Sequence, residues 1–208
     1  MSKEKIKVVV AGVRFLHPHV FTPSAPKLAQ GGTADPRYKT RFFVQKTEGA
    51  KLDGLRQKIV EACRAEWPNV TDDELRGVLA ETVLDGAVHN QRRAAKNKAP
   101  DTYLQDAFIC GATSQYKPGI AGPDAQPIID PAQFYGGCYG AIEVALNPYI
   151  DQKTAKKCCS LWLNYVLKTA DGEPLGGTQR AAADVFAGIL PSSTPVDPTG
   201  GGSTNPLW

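Results

Sequence analysis

The period of the apolar pattern changes twice along this chain, and that change limits the folds open to it. Residues 38–46, YKTRFFVQK, alternate as a strand does: Tyr38, Thr40, Phe42 and Val44 share one face, and Lys39, Arg41, Phe43 and Gln45 share the other. Residues 51–66 instead place Leu52, Leu55, Ile59, Ala62 and Cys63 at helical spacing, and Pro68 ends the run. From Tyr103 strand-like sequence returns, in 103–114, 137–150 and 157–168. Helical periodicity enclosed by strand periodicity predicts a mainly β (α+β) protein with a helical insertion. The 16 prolines and 20 glycines favour short strands joined by turns over a helical bundle.

A first strand is expected over residues 5–15, bounded by Gly12 and by Pro18. Residues 16–37 contain Pro18, Pro23, Pro26 and Pro36 and the pair Gly31-Gly32, which predicts a loop. Thr71 followed by Glu74 is a capping-box signature, so a second helix should start near Asp72 and run to about Leu84. The basic segment 89–100 either continues that helix or forms an exposed loop. Residues 117–131 are rich in turn formers, with a short extended piece at 127–129. Residues 179–190 suggest a short helix, and 191–208 form a low-complexity tail expected to be disordered. About five strands and two inserted helices fit a sandwich or a barrel. They fit one domain over 1–190, with the insertion at about 51–100.

The net charge is only +3, but residues 1–120 carry +6 and residues 121–208 carry −3. A basic body suits a partner that is an anionic polymer, although a solvated surface gives the same asymmetry. The five cysteines are odd in number, include the adjacent Cys158 and Cys159, and contain no CxxC, as expected of reduced cytosolic thiols. His17 and His19 have no Cys or His partner at ligand spacing, so no metal site is expected. The N-terminal apolar run is too short for a signal peptide or a membrane span, which predicts a cytoplasmic protein. No catalytic triad signature, P-loop or dinucleotide fingerprint occurs; neither an enzyme nor a cofactor is expected. Asp72, Asp73 and Glu74 are explained by their place at a helix start, and His89 has no evident partner in sequence.

The second half carries more specific marks. Residues 130–140 read DPAQFYGGCYG, Leu163-Asn164-Tyr165-Val166 follows, and residues 171–177 read DGEPLGG. In that order these runs resemble a family of phage and prophage single-stranded DNA-binding proteins, related to the helix-destabilising protein of T7-like phages. Gly12-Val13-Arg14-Phe15, Val20-Phe21 and residues 38–46 match its opening. The resemblance covers 5–46 and 103–177, and it implies an OB-like five-stranded barrel that binds DNA. Two parts depart from the pattern: the helical region 51–100, and the tail. Such proteins often end in an acidic segment with a terminal aromatic that recruits replication partners. Trp208 is terminal here, but Asp197 is the lone acid after Pro191.

A single-strand binder needs cations to follow phosphates and flat side chains to stack on bases. Lys39, Arg41 and Phe43 offer both on one strand face, with Phe43 reading equally well as core. Arg92, Arg93, Lys96 and Lys98 form the densest basic cluster, and their alternative is a solvated helix end. Tyr116 and Lys117 occupy a loop before Pro118, suited to stacking or to packing a turn. Tyr139 is a binding candidate within the glycine-rich run, whose Gly136, Gly137 and Gly140 read as structural, with Phe134 as core. In the last strand Leu161, Leu163 and Tyr165 should share one face, and Trp162, Asn164 and Val166 the other. Trp162 is then either an exposed stacking platform or barrel filling.

The function expected is sequence-independent single-stranded DNA binding in phage replication or recombination, inside the host cytoplasm. Strand protection and hairpin removal would follow from preferential binding, with homo-oligomers and tail-recruited replication proteins as possible partners. Two alternatives stand beside it: a phage structural or assembly protein, and a nucleic-acid-processing enzyme with an unrecognised site.

Overall fold

The computed structural model describes residues 5–25 and 33–175. Seven strands are present among them: β1 (Lys7–Ser24), β2 (Arg37–Gln45), β3 (Leu84–Asp85), β4 (Ala107–Ser114), β5 (Gly119–Ala121), β6 (Tyr139–Ile150) and β7 (Lys157–Ala170). Three α-helices, α1 (Asp53–Glu66), α2 (Asp72–Thr82) and α3 (Gly86–Ala94), lie between β2 and β4. None of the helices is long and apolar enough to cross a membrane.

Five strands close into a barrel. β1 pairs antiparallel with β6 through its first half and with β2 through its second, and Arg14 has a partner on each side, Tyr139 and Phe43. β2 pairs with β4, and β6 pairs with β7. Closure comes from a short parallel contact between β4 and β7, Ala112 opposite Leu161 and Thr113 opposite Trp162. Counted in chain order, the barrel strands run 1-2-3-5-4 and back to 1. β3 and β5 extend the sheet beyond this ring.

The expected alternation fills the barrel. Thr40, Phe42 and Val44 of β2 are buried, and Phe42 and Val44 share a core with Phe15, Ala112, Ile142, Val144, Leu161 and Leu163. α1 buries Leu55, Ile59 and Cys63 in the same core, packing on β1 and β6, and α2 packs on β7 with Leu75 and Val78. The capping box is formed: Glu74 N donates to Thr71 Oγ1 at 3.2 Å, and Thr71 N donates to Glu74 Oε2 at 2.9 Å. The same Glu74 receives Lys157 Nζ at 2.8 Å, which ties the insertion to β7. All five cysteines are free thiols, and burial pushes Cys110 up to about 12.

Several expectations need correction. The first strand does not stop at Phe15 but continues to Ser24, so most of the predicted loop before residue 26 is strand. Leu16 faces Arg41 and His19 faces Lys39, so three steps on β1 oppose two on β2. This bulge, with His17 at φ +44, accommodates Pro18 inside a strand, which a regular ladder would not. The insertion holds three helices, because the basic segment begins as α3. His89 does have a partner: its Nε2 lies 3.1 Å from Asp101 Oδ2. In β7 a further bulge breaks the predicted alternation. Glu143 faces Tyr165 while Val144 faces Leu163, so Asn164 is the extra residue, Tyr165 turns outward and Val166 turns in. The proposed helix at 179–190 and the tail 191–208 lie outside the described residues.

The two glycine-rich runs form one clasp. Leu175 N donates to Gly136 O at 2.7 Å, and the Tyr135 hydroxyl shares its one proton between the carbonyl of Gly172 and Asp171 Oδ1, each 2.9 Å away. Arg14 crosses the joint, with Nε on Gly137 O at 2.9 Å and Nη2 on Glu173 O at 2.7 Å. At Gly137, φ is +119 and a Cβ would run into the Glu173 carbonyl, so glycine is required there. Phe134 is core, packed on Phe15.

Candidate nucleic-acid interface

The outer face of β2, β4 and β7 carries three shallow depressions of about 480, 350 and 160 Å³ that share Thr113 as a lining residue. The first is lined by His17, His19, Lys39, Arg41 and Gly111 among others. The second continues from Arg41 and Gly111 to Leu161 of β7, walled by Glu81 of α2 and Arg92 of α3. The third lies between Arg37, Tyr116 and Trp162. Their union is one groove. It arises because Gly111, opposite Arg41 in the ladder, has no side chain to fill the surface, and because the helices rise beside β4 as a wall.

Lys39 and Arg41 line one part of this groove, and Arg37 lines another together with the aromatics Tyr116 and Trp162. Lys39 and Arg41 project from β2 as the alternation predicts, and Arg37 extends the row. Trp162 is 44% exposed on β7 opposite Thr113, so of its two fates the exposed one is realised. Lys5 Nζ sits 3.0 Å from the centre of its ring and also bonds Asn147, and burial lowers the Lys5 pKa. Tyr116 is 81% exposed at the rim, with the exposed Lys117 beside it. Tyr165, 61% exposed, lies with its ring against Gly119, leaving no room for a Cβ there.

The remaining candidates are distributed unevenly. Phe43 is only 3% exposed, in a second small core with Leu16, Leu104 and Ile109, its ring 6.3 Å from Tyr103. The segment between α3 and β4 covers it, so the core alternative is the one the geometry supports. The basic cluster is split. Arg92 reaches the groove but is held by Glu81 through two bonds of 3.0 and 2.6 Å, which raise the Arg92 pKa and lower that of Glu81. Arg93 turns back, donating Nε to Ala99 O at 2.7 Å and pairing with Asp101. Lys96 and Lys98 stand exposed in the turn after α3, outside the groove lining. Tyr139 is 42% exposed beneath Arg14, whose Cζ lies 5.2 Å from its ring centre, at the clasp and away from Thr113.

The lining residues His17 and His19 fall in a segment that Pro18 makes read as loop, though His-x-His has the strand period. Tyr165 lies outside the linings of the three depressions, and its exposure comes from the bulge at Asn164, which leaves no signature in local composition. His19 is held below its ordinary pKa by burial, then by Lys39 and His17. Among the described residues no group of three or more His, Cys, Asp or Glu could hold a metal ion.

A closed barrel in the order 1-2-3-5-4, with its open groove across the second and third strands, is an OB-fold, and that face is where such barrels take oligonucleotides. Within that class the chain belongs to the family of the single-stranded DNA-binding protein of Enterobacter phage Enc34, whose model matches residues 6–194. The match runs through the helical insertion, which the shared motifs leave out. The solved single-stranded DNA-binding protein of bacteriophage Enc34 is 19% identical, with a TM-score of 0.59 over 86% of this chain and 89% of that one. The same phage protein in complex with single-stranded DNA aligns at 20% identity and TM-score 0.59, over 82% and 89%. The single-stranded DNA-binding protein gp2.5 of bacteriophage T7 aligns at 14% identity and TM-score 0.49, over 93% and 100%. No curated protein matches the sequence.

Proposed function

We propose that this chain binds single-stranded DNA without base preference along the Thr113 groove, serving phage DNA replication and recombination in the host cytoplasm. The observation that carries the reading is the placement of Lys39 and Arg41 on one side of Thr113 and of Trp162 and Tyr116 on the other. A strand laid in the groove would set its phosphates on the cations and its bases on the rings, and stacking tolerates any base. Only unpaired bases present open π faces, so the chain would favour single strands and pull hairpins open by mass action. The role is one of binding without catalysis. Membership in the Enc34 family supports this, as does a groove furnished with cations and aromatics.

The test is fluorescence anisotropy with labelled oligo-dT and a duplex of equal length across a salt series. Tight single-strand binding that weakens steeply with salt, with a weaker duplex signal, is expected. Absent or salt-insensitive binding would refute the reading.

A further inference from the structure

We propose that His17 and His19, together with Lys39, form a proton-linked phosphate subsite at one end of the groove, so that the hold on a DNA backbone tightens as pH falls. This rests on the single-strand reading above and specifies how one part of that site is regulated.

The bulge in β1 creates the subsite. It inserts an extra residue opposite β2, sets His17 at φ +44, and leaves both imidazoles exposed on the outer face, although a proline separates them. His19 is the ladder partner of Lys39, and both histidines line the same depression as Lys39 and Arg41. β1 contributes the two histidines, β2 contributes Lys39, Thr40 and Arg41, and β4 contributes Gly111, Ala112 and Thr113. No carboxylate is among the described residues lining this depression, so the charges facing each imidazole are positive.

Burial first, and then the charges of Lys39 and His17, hold His19 below its ordinary pKa. A phosphodiester is anionic throughout the physiological range. Seated between Lys39 and Arg41, it offsets the repulsion from Lys39 and gives a His19 imidazolium an acceptor. Binding then raises the histidine pKa, and by reciprocity the proton raises DNA affinity. The sign follows. Affinity is lowest above the bound-state pKa, rises as pH falls through it, and levels off below the lower free-state pKa.

The experiment is oligo-dT binding by the full chain between about pH 8 and about pH 5.5, the range over which histidine titrates. The expected result is a Kd that falls roughly tenfold toward acid, as one unit of pKa change requires. The logarithmic salt slope should steepen by about 0.7 per histidine protonated. Calorimetry in buffers of different ionisation enthalpy should show proton uptake on binding near pH 6. His19→Gln, and the double variant with His17→Asn, should flatten the profile, losing the gain in affinity toward acid. Asparagine tolerates the left-handed backbone at position 17, and a melt at the alkaline end checks folding. Binding that persists with a flat profile and no proton uptake overturns the proposal and leaves single-strand binding standing. An unaltered pH profile in the double variant also overturns it. No binding at any pH removes the functional reading together with the subsite.

Discussion

Thr113 and Trp162 face each other across the parallel contact that closes the barrel, so the exposed indole is fixed by the same pairing that completes the fold. The indole is therefore held in place before any ligand arrives, and its removal takes away both a stacking surface and the Lys5 contact. Trp162→Ala should weaken oligo-dT binding by about 1–3 kcal/mol, a loss to be read beside the Tm change from the lost Lys5 contact. Anisotropy titration beside a thermal melt tests this. Unchanged affinity would exclude Trp162 from the interface.

Lys39 and Arg41 should act through charge. Lys39→Ala and Arg41→Ala are each expected to reduce the logarithmic salt slope by about 0.7. Lys98→Ala, outside the groove lining, should leave it unaltered. Equal slopes for all three variants would contradict the assignment of the groove.

Arg92 offers a test of opposite sign. Its guanidinium is neutralised by Glu81, so Glu81→Gln frees a cation on the groove wall. This variant should bind single strands more tightly and steepen the salt slope by up to about 0.7. The lost surface pair should cost less than about 1 kcal/mol of stability. Weaker binding by Glu81→Gln would place the DNA path away from this wall.

The clasp predicts a stability effect without a binding effect. Gly137→Ala must hold φ near +119 and displace the Glu173 carbonyl. A cost of about 2 kcal/mol follows from backbone strain alone. For a domain of this size that lowers Tm by about 4–8 °C. The folded variant should bind oligo-dT normally. An unchanged Tm would show that the clasp is not held as described.

Glu74 makes stability depend on acid. Its pKa is lowered from 4.5, first by the bond from Lys157 and then by the backbone N–H of Thr71. A depressed carboxylate contributes stability that is present above its unfolded pKa and lost as pH falls through the folded one. Urea midpoints of wild type and Glu74→Gln should differ near pH 6 and converge as pH drops below about 4.5. A gap that is constant with pH would assign the effect to the helix cap alone.

Much of the barrel was legible because its period-2 runs survive intact. Residues 38–46 fix both faces of β2, and Thr71 with Glu74 fixes the start of α2. What escaped were irregularities set by tertiary pairing. The bulge at His17 and Pro18 turns a proline-containing segment into strand, and the bulge at Asn164 reverses the faces of Tyr165 and Val166. Neither follows from local propensity, because a bulge is a mismatch between two strands. Phe43 was ambiguous for a related reason: whether an outward face meets solvent depends on what lies over it, here Tyr103 and Leu104. Arg92 and Arg93 are adjacent in sequence, yet one bonds Glu81 and the other the Ala99 carbonyl. Charge density alone could not separate them.

The clasp also sets an order of events in time. Arg14 and Glu173 are 159 positions apart, and the first strand cannot complete its joint until the last one has been made. During synthesis β1 and β2 emerge before β6 and β7, which complete the ring. Until β7 emerges a nascent chain therefore carries unpaired strand edges, and such edges invite association with other chains. Loop-closure entropy of this range makes folding slow relative to a helical protein of equal length. A chain halted before residue 157 lacks β7 and leaves β4 and β6 without their partner, so partial translation products should aggregate instead of accumulating as smaller folded units.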